Sequence, residues 1–185
     1  MNITSIICDY ESHTEDICAI RYEVFVDEQN VPEELEIDGL DNEAKHILAF
    51  VDGLPIGTGR ILNDGHIGRV AVLKNCRGLG IGKLIMKDLI KWAQDMNLEK
   101  VWLSSQWHAH GFYLDLGFVC VGEIYKEAGI DHIKMFRALY TFLCGQFQLL
   151  CKSHRYKQNQ DLNKNYEHAI AKTTKSFLNS CLVPT

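Results

Sequence analysis

Three short β-rich runs follow one another with almost no chain between them. "AKHILAFV" (44–51) is separated from "LPIGTGRIL" (54–62) by Asp52-Gly53, and Asn63-Asp64-Gly65 leads into "HIGRVAVL" (66–73). Asp-Gly steps between such runs are tight hairpin turns. Loops this short cannot carry a helical crossover, so the three strands form an antiparallel meander. The third strand runs into "KNCRGLGIG", where glycines alternate with other residues, and a helical pattern follows. A chain that reaches its glycine turn through an antiparallel meander cannot be the parallel opening of a dinucleotide-binding domain.

The remaining elements arrange themselves around that centre. "ITSIICDY" has strand composition. In "HTEDICAIRYEVFVDEQ", Thr14 is placed to cap a helix, Glu15 and Asp16 favour its first turn, and Ile17, Ile20, Val24 and Phe25 recur at helical spacing. Residues 28–43 are acidic and irregular, a loop or a broken short helix. After the glycine turn, Leu84, Ile85, Leu89, Trp92, Ala93 and Met96 predict one apolar helix face. "KVWLSS" reads as a fifth strand, and "QWHAHGFYLDL" as a short helix stopped at Gly117. "FVCVGEIYKEAGIDHIKMF" reads as two strands joined near Gly129. The expected class is α/β in the α+β sense: a central mixed, mostly antiparallel sheet flanked by helices over residues 1–137. Residues 138–185 are expected to form a helical C-terminal extension, whose role the sequence leaves open.

Composition removes several functions. A formal net charge of -5 argues against charge-driven nucleic-acid binding. The seven cysteines include no CxxC pair and are odd in number, which fits reduced thiols of a cytoplasmic protein and neither a disulfide framework nor a metal site. "MFRALYTFLCGQFQLLC" is the most apolar long run. It carries Arg137 and two glutamines and falls short of the ~20 apolar residues of a membrane span.

The glycine turn fails two familiar tests. A P-loop requires glycine where Arg77 stands, and Ser or Thr where Leu84 stands. The dinucleotide fingerprint fits Gly78 and Gly80 but meets Lys83 at its third glycine. What remains is Arg77-x-x-Gly80-x-Gly82 at a helix N-terminus, where free backbone N–H groups and the helix dipole attract anions. Taken alone, this pattern is either a pyrophosphate cradle or a strand-to-helix turn that binds nothing.

The element order, with R-x-x-G-x-G after the fourth strand, resembles the GNAT acetyltransferase superfamily. "SQWHAHGFYLDLGF" is similar to a downstream element of that family, in which a tyrosine lies four residues before Gly-Phe; here these are Tyr113 and Gly117-Phe118. "IRYEVFVDEQNVPEELEIDGLD", "AKHILA", "RVAV" and "GEIYKEAGIDHIKM" resemble its ElaA branch. The resemblance implies acetyl-CoA as co-substrate, with pantetheine lying where the fourth and fifth strands splay apart. The backbone of Val70, Ala71 and Val72 would pair with the pantetheine amides. Arg77, Gly78, Leu79, Gly80, Ile81, Gly82 and Lys83 would cradle the pyrophosphate, and Ser105 and Gln106 would bond the cofactor or orient the acceptor. Tyr113 would protonate the leaving thiolate.

The implied reaction is direct transfer to a primary amine of a small molecule or protein, with no nucleic-acid or membrane partner; a homodimer is left open. An amine attacks only when neutral, so a base is needed. Glu28 and His46 lead the candidates, ahead of Glu33, Glu43, His66, Glu123 and His132, and ordered water is the alternative. The carboxylates from Asp27 to Glu43 are either a solvated turn or a lure for a cationic amine. A non-catalytic acyl-CoA sensor on the same fold is the competing function.

Overall fold

The computed structural model describes residues 1–139. The extension expected over 138–185 lies outside them from residue 140 onward. Strand β1 (Ile3–Cys8) pairs antiparallel with β2 (Lys45–Val51), β2 with β3 (Leu54–Ile61), and β3 with β4 (Ile67–Val72). A second sheet has the order β5-β7-β6, from β5 (Lys100–Gln106), β6 (Val119–Glu127) and β7 (Ile130–Ala138). All the ladder pairings within the two sheets are antiparallel. The sheets meet at a single parallel bridge, His66 to Trp102. This is the GNAT-like order expected from the sequence.

Helix α3 (Ile81–Asp95) packs on one face of the first sheet and joins the two sheets into one core. Its buried residues are Ile81, Ile85, Met86, Leu89, Ile90 and Ala93. The sequence phase was therefore slightly off: Leu84 is only partly buried and Met96 is exposed, while Ile81, Met86 and Ile90 face inward. The helix comes so close because β3 presents glycine to it. A Cβ at Gly59 would lie 2.8 Å from an Ile85 methyl.

Helix α1 (Thr14–Arg21) covers the opposite face with Ile17 and Ile20, joined by Val24 from the turn after it. Thr14 does not cap it by accepting a backbone N–H. It is the first helical residue, and its hydroxyl donates to the Tyr10 carbonyl at 2.8 Å. The chain does not continue as α-helix through Glu28 as the apolar spacing suggested. It widens into a π-helical turn over Tyr22–Glu28, a distortion often found at functional sites. The acidic stretch is a short helix α2 (Glu33–Glu36) and a 3₁₀ turn, Asp41–Glu43.

Under that stretch lies a buried ionic network. Arg21 donates to Glu36 and, at 2.6 Å, to Asp41. Arg60 donates to the same Asp41 oxygen at 2.7 Å and clasps Asp38 with two nitrogens. Arg69 reaches Asp38 and the carbonyls of Leu35 and Glu36. Burial opposes the charge on Asp38, but the hydrogen bonds from Arg60 and the Leu40 amide, with the charges of Arg60 and Arg69, prevail and hold its pKa at about 2.

Removing one member strands the others. Arg60→Met should cost about 3–5 kcal/mol, because Asp41 is left buried beside one cation fewer. Urea unfolding of the two proteins measures this. The Asp38 pKa lies below its ordinary 3.8, so its stabilisation is complete above that value. It should fade as the pH falls from 3.8 towards about 2.

Candidate functional site

Strands β4 and β5 form a V. Its closed end is fixed where Trp102 N–H donates to the Gly65 carbonyl at 3.0 Å and the His66 ring stacks on Trp102, centroids 3.8 Å apart. Beyond that bridge the strands have no ladder between them. A bulge sharpens the divergence. The β3 register runs from Arg60–Gly68 to Thr58–Ala71, so β4 carries one extra residue. Arg69 sits there at φ +52°, a left-handed conformation rare for arginine, and its side chain bonds the acidic stretch. Val70 and Val72 pack towards α3, while Ala71 packs towards α1. The β5-facing edge of β4 is left as open backbone.

The open end of β4 leads into the glycine turn. Gly80, at φ +82°, is the residue from which α3 starts, a conformation costly for any side chain. The first intrahelical bond runs from Leu84 N–H to the Gly80 carbonyl, so the amides of Ile81, Gly82 and Lys83 precede it. This is an anion site by geometry, and Lys83 is exposed beside it. Gly78 is also left-handed, at φ +80°, which lets the chain fold back before the helix. Leu79 projects from the turn, 41% exposed.

Arg77 does not hang free. Its two terminal nitrogens hold both oxygens of Glu28 at 2.6 Å each, and its Nε donates to the Val72 carbonyl at 2.9 Å. Those hydrogen bonds lower the Glu28 pKa. In this arrangement Glu28 is the partner of Arg77, and a carboxylate held by a guanidinium is a poor proton acceptor until that arginine turns away. His46 is engaged elsewhere. It is 1% exposed, its Nε2 lies 3.0 Å from the Asp41 carbonyl, and burial lowers its pKa. It belongs to the ionic network and cannot meet an incoming amine.

The other candidates separate in the same way. Glu33 and Glu43 are exposed on the acidic stretch, Glu123 is exposed on β6, and His66 closes the V. Half of the acidic stretch is committed: Glu28, Glu36, Asp38 and Asp41 each hold arginine, while Asp27, Glu33, Glu34 and Glu43 are exposed. A cavity of about 500 Å³ outside α1, reached by Tyr22, Asp27 and Glu33, shares no residue with the V or the glycine turn.

At the end of β5, Gln106 donates to the Gln29 side chain at 2.6 Å, tying this strand to the π-helical turn. Ser105 is buried, and its hydroxyl donates to the Gln106 carbonyl. The chain then enters α4 (His110–Asp115), which carries Tyr113. A Cβ at Gly82 would stand 3.4 Å from the Phe112 ring, so the start of α3 and α4 touch. Tyr113 lies edge-on to Phe112 and Phe118. Its hydroxyl has no hydrogen-bond partner among the described residues, and burial alone pushes its pKa up to about 12. The π-helical turn and the Arg77–Glu28 clasp had no signal in the apolar spacing. The acidic and basic residues were visible, but their pairing was not. No cluster of metal-binding side chains occurs among the described residues.

Residues 9–139 match the family model of the acetyltransferase (GNAT) domain. The chain is 39% identical over 137 residues to an uncharacterised N-acetyltransferase, YjcF, of Bacillus subtilis, covering 72% of this chain and 98% of that protein. It is 35% identical over 126 residues to Escherichia coli protein ElaA, covering 64% and 82%. Among solved structures, an acyl-CoA N-acyltransferase from Pseudomonas aeruginosa superposes with TM-score 0.67 at 33% identity, over 74% of this chain and all of that one. The crystal structure of E. coli ElaA gives TM-score 0.66 at 31% identity, over 74% and 99%.

If Arg77 must leave Glu28 to reach a pyrophosphate, Glu28→Gln should tighten coenzyme A binding. A partly exposed pair of this kind sets the gain at about twofold to fivefold. Calorimetry measures it, and equal affinity would show that Arg77 stays where it is.

Proposed function

This chain belongs to the GNAT acetyltransferase family, in its ElaA-like branch, and from that premise we propose that it moves an acetyl group from acetyl-CoA directly to a primary amine. The acceptor is a small molecule or a protein side chain. As an acyltransferase of this fold it uses an acyl-CoA co-substrate. The observation that carries the finer reading is the V itself: open β4 backbone, a left-handed glycine turn at a 15-residue helix, and a lone tyrosine hydroxyl on the helix beside it.

The residues present suit that co-substrate. The amides of Ile81, Gly82 and Lys83 and the charges of Arg77 and Lys83 match a pyrophosphate. The Val72 carbonyl, now held by Arg77, is an acceptor for a pantetheine amide once that side chain turns to the phosphates. Val70 and Val72 would wall the pantetheine on the α3 side. Gln106, tied to Gln29, would line the open end.

The chemistry follows from charge. An amine nitrogen forms a bond to the thioester carbonyl carbon, the carbon–sulfur bond breaks, and its electrons leave as thiolate. Tyr113 supplies the proton or hydrogen bond that stabilises that sulfur. With its pKa raised to about 12, the phenol keeps its proton through the neutral range. No helix among the described residues is long and apolar enough to cross a membrane. The free thiols of the described cysteines suit a cytoplasmic enzyme.

Two measurements test the reading. Acetyl-CoA should bind in calorimetry while ATP and NAD do not, and a panel of polyamines, amino sugars and lysine peptides should give at least one acetylated product by mass spectrometry. Tyr113→Phe should lower kcat by about 10²-fold or more, while acetyl-CoA affinity stays within a factor of two. Binding without transfer to any amine would favour the sensor reading. Unchanged kcat in Tyr113→Phe would remove the tyrosine from the chemistry.

A further inference from the structure

The reaction proposed above needs a proton acceptor, and both residues that the sequence put first are engaged elsewhere. One imidazole is held differently. His132 stands on β7, with Gln106 as its cross-strand partner on β5 and Tyr125 on β6. It is 9% exposed. Its Nδ1 lies 2.9 Å from the Ile130 carbonyl. A carbonyl only accepts, so Nδ1 carries the hydrogen, and the neutral ring presents its lone pair at Nε2. Nε2 has no hydrogen-bond partner among the described residues. The tautomer is fixed, the ring is largely desolvated, and the basic nitrogen is unbonded among those residues.

The position is the right one. Gln106 ends β5 at the open mouth of the V, and its side chain bonds Gln29, next to Glu28, which holds Arg77. His132 is thus joined through one strand pairing to the residues that frame the co-substrate site. The opposite face of this sheet, with Leu103, Ser105, Ile133 and Met135, is buried against the core. On the His132 face lie Trp102, Ser104 and Gln106 of β5, with Lys134 over the Trp102 ring and Tyr125 donating to Ser104 at 2.6 Å. This face is polar, aromatic and only partly buried.

We propose that His132 Nε2 takes the proton from the acceptor amine. The inference rests on the acetyl-transfer reading of the V. As the nitrogen–carbon bond forms and the carbon–sulfur bond breaks, one amine proton passes to Nε2 and then to solvent. The thiolate leaves as thiol with the proton of Tyr113, which solvent restores. The amide, the free thiol and the regenerated side chains account for every atom and charge.

His132→Asn is the informative variant. Its side-chain amide can still donate to the Ile130 carbonyl, but nothing replaces Nε2. With acetyl-CoA and the best acceptor of the amine panel, kcat should fall by about 10²-fold or more, with acetyl-CoA affinity unchanged by calorimetry. Added imidazole should restore part of the lost kcat of the variant, a rescue that a merely structural role would not give. The charged or titratable groups around the ring are the Tyr125 phenol, the Lys126–Asp131 pair at the hairpin, and Lys134 on the same face. Tyr125→Phe should keep wild-type kcat, which excludes the phenol as the proton acceptor. If His132→Asn fails to fold, His132→Gln takes its place, and wild-type kcat in that variant overturns the proposal. Wild-type kcat in His132→Asn overturns it as well, and so does equal loss of acetyl-CoA affinity and rate. If no amine is acetylated, acetyl-CoA hydrolysis is the readout, since attacking water needs the same proton removed. Hydrolysis that depends on His132 supports the assignment. Hydrolysis equal in both proteins overturns it alone, and hydrolysis at the buffer rate overturns the acetyl-transfer reading with it.

Discussion

Asp41 is the point on which one side of the molecule turns. One carboxylate oxygen receives Arg21 from α1 and Arg60 from β3, and the residue's own carbonyl faces His46 of β2. Two buried guanidinium groups without that carboxylate would face each other in a low-dielectric interior, where their repulsion is large. Glu36 and Asp38 complete the compensation and bring Arg69, at the β4 bulge, into the same network. The acidic stretch is therefore an internal counter-charge. It fastens the loop to the sheet at the level where β4 departs from β5, and so it helps hold the site's mouth open.

The sequence carried the strands and the glycine turn well, for a physical reason. Asp52-Gly53 and Asn63-Asp64-Gly65 determine hairpin geometry locally, and Gly78, Gly80 and Gly117 take left-handed conformations that few other residues accept. Such residues report their own backbone. The misreadings concern quantities that no local window contains. The phase of α3 depends on where Gly57 and Gly59 of β3 let the helix descend, and that drew Ile81 and Ile90 inward in place of Met96. The π-helical turn replaces an α-helical continuation without breaking the apolar spacing of Ile20 and Val24.

The base candidates were ordered on information of the same local kind. Glu28 and His46 were chosen by residue type and neighbourhood along the chain, yet a proton acceptor is defined by what its lone pairs touch. Glu28 has both oxygens on Arg77, and His46 is sealed against Asp41. His132, in a strand where a histidine is usually structural, has one nitrogen pinned and the other unbonded among the described residues. That distinction depends on a carbonyl two residues away and on the cross-strand position of Gln106.

The raised pKa of Tyr113 also decides what kind of acid it is. A free thiol titrates near ~8.5. A phenol pushed to about 12 would give up its proton to such a thiolate only against the gradient. The same apolar surroundings act on the sulfur, because a thiolate leaving beside Phe112 and Phe118 is desolvated as well, and its own proton affinity rises. The gap narrows where the reaction happens and widens again in water. In the proposed reaction Tyr113 would thus act as a hydrogen-bond donor to the departing sulfur, with full proton transfer as that bond's end point.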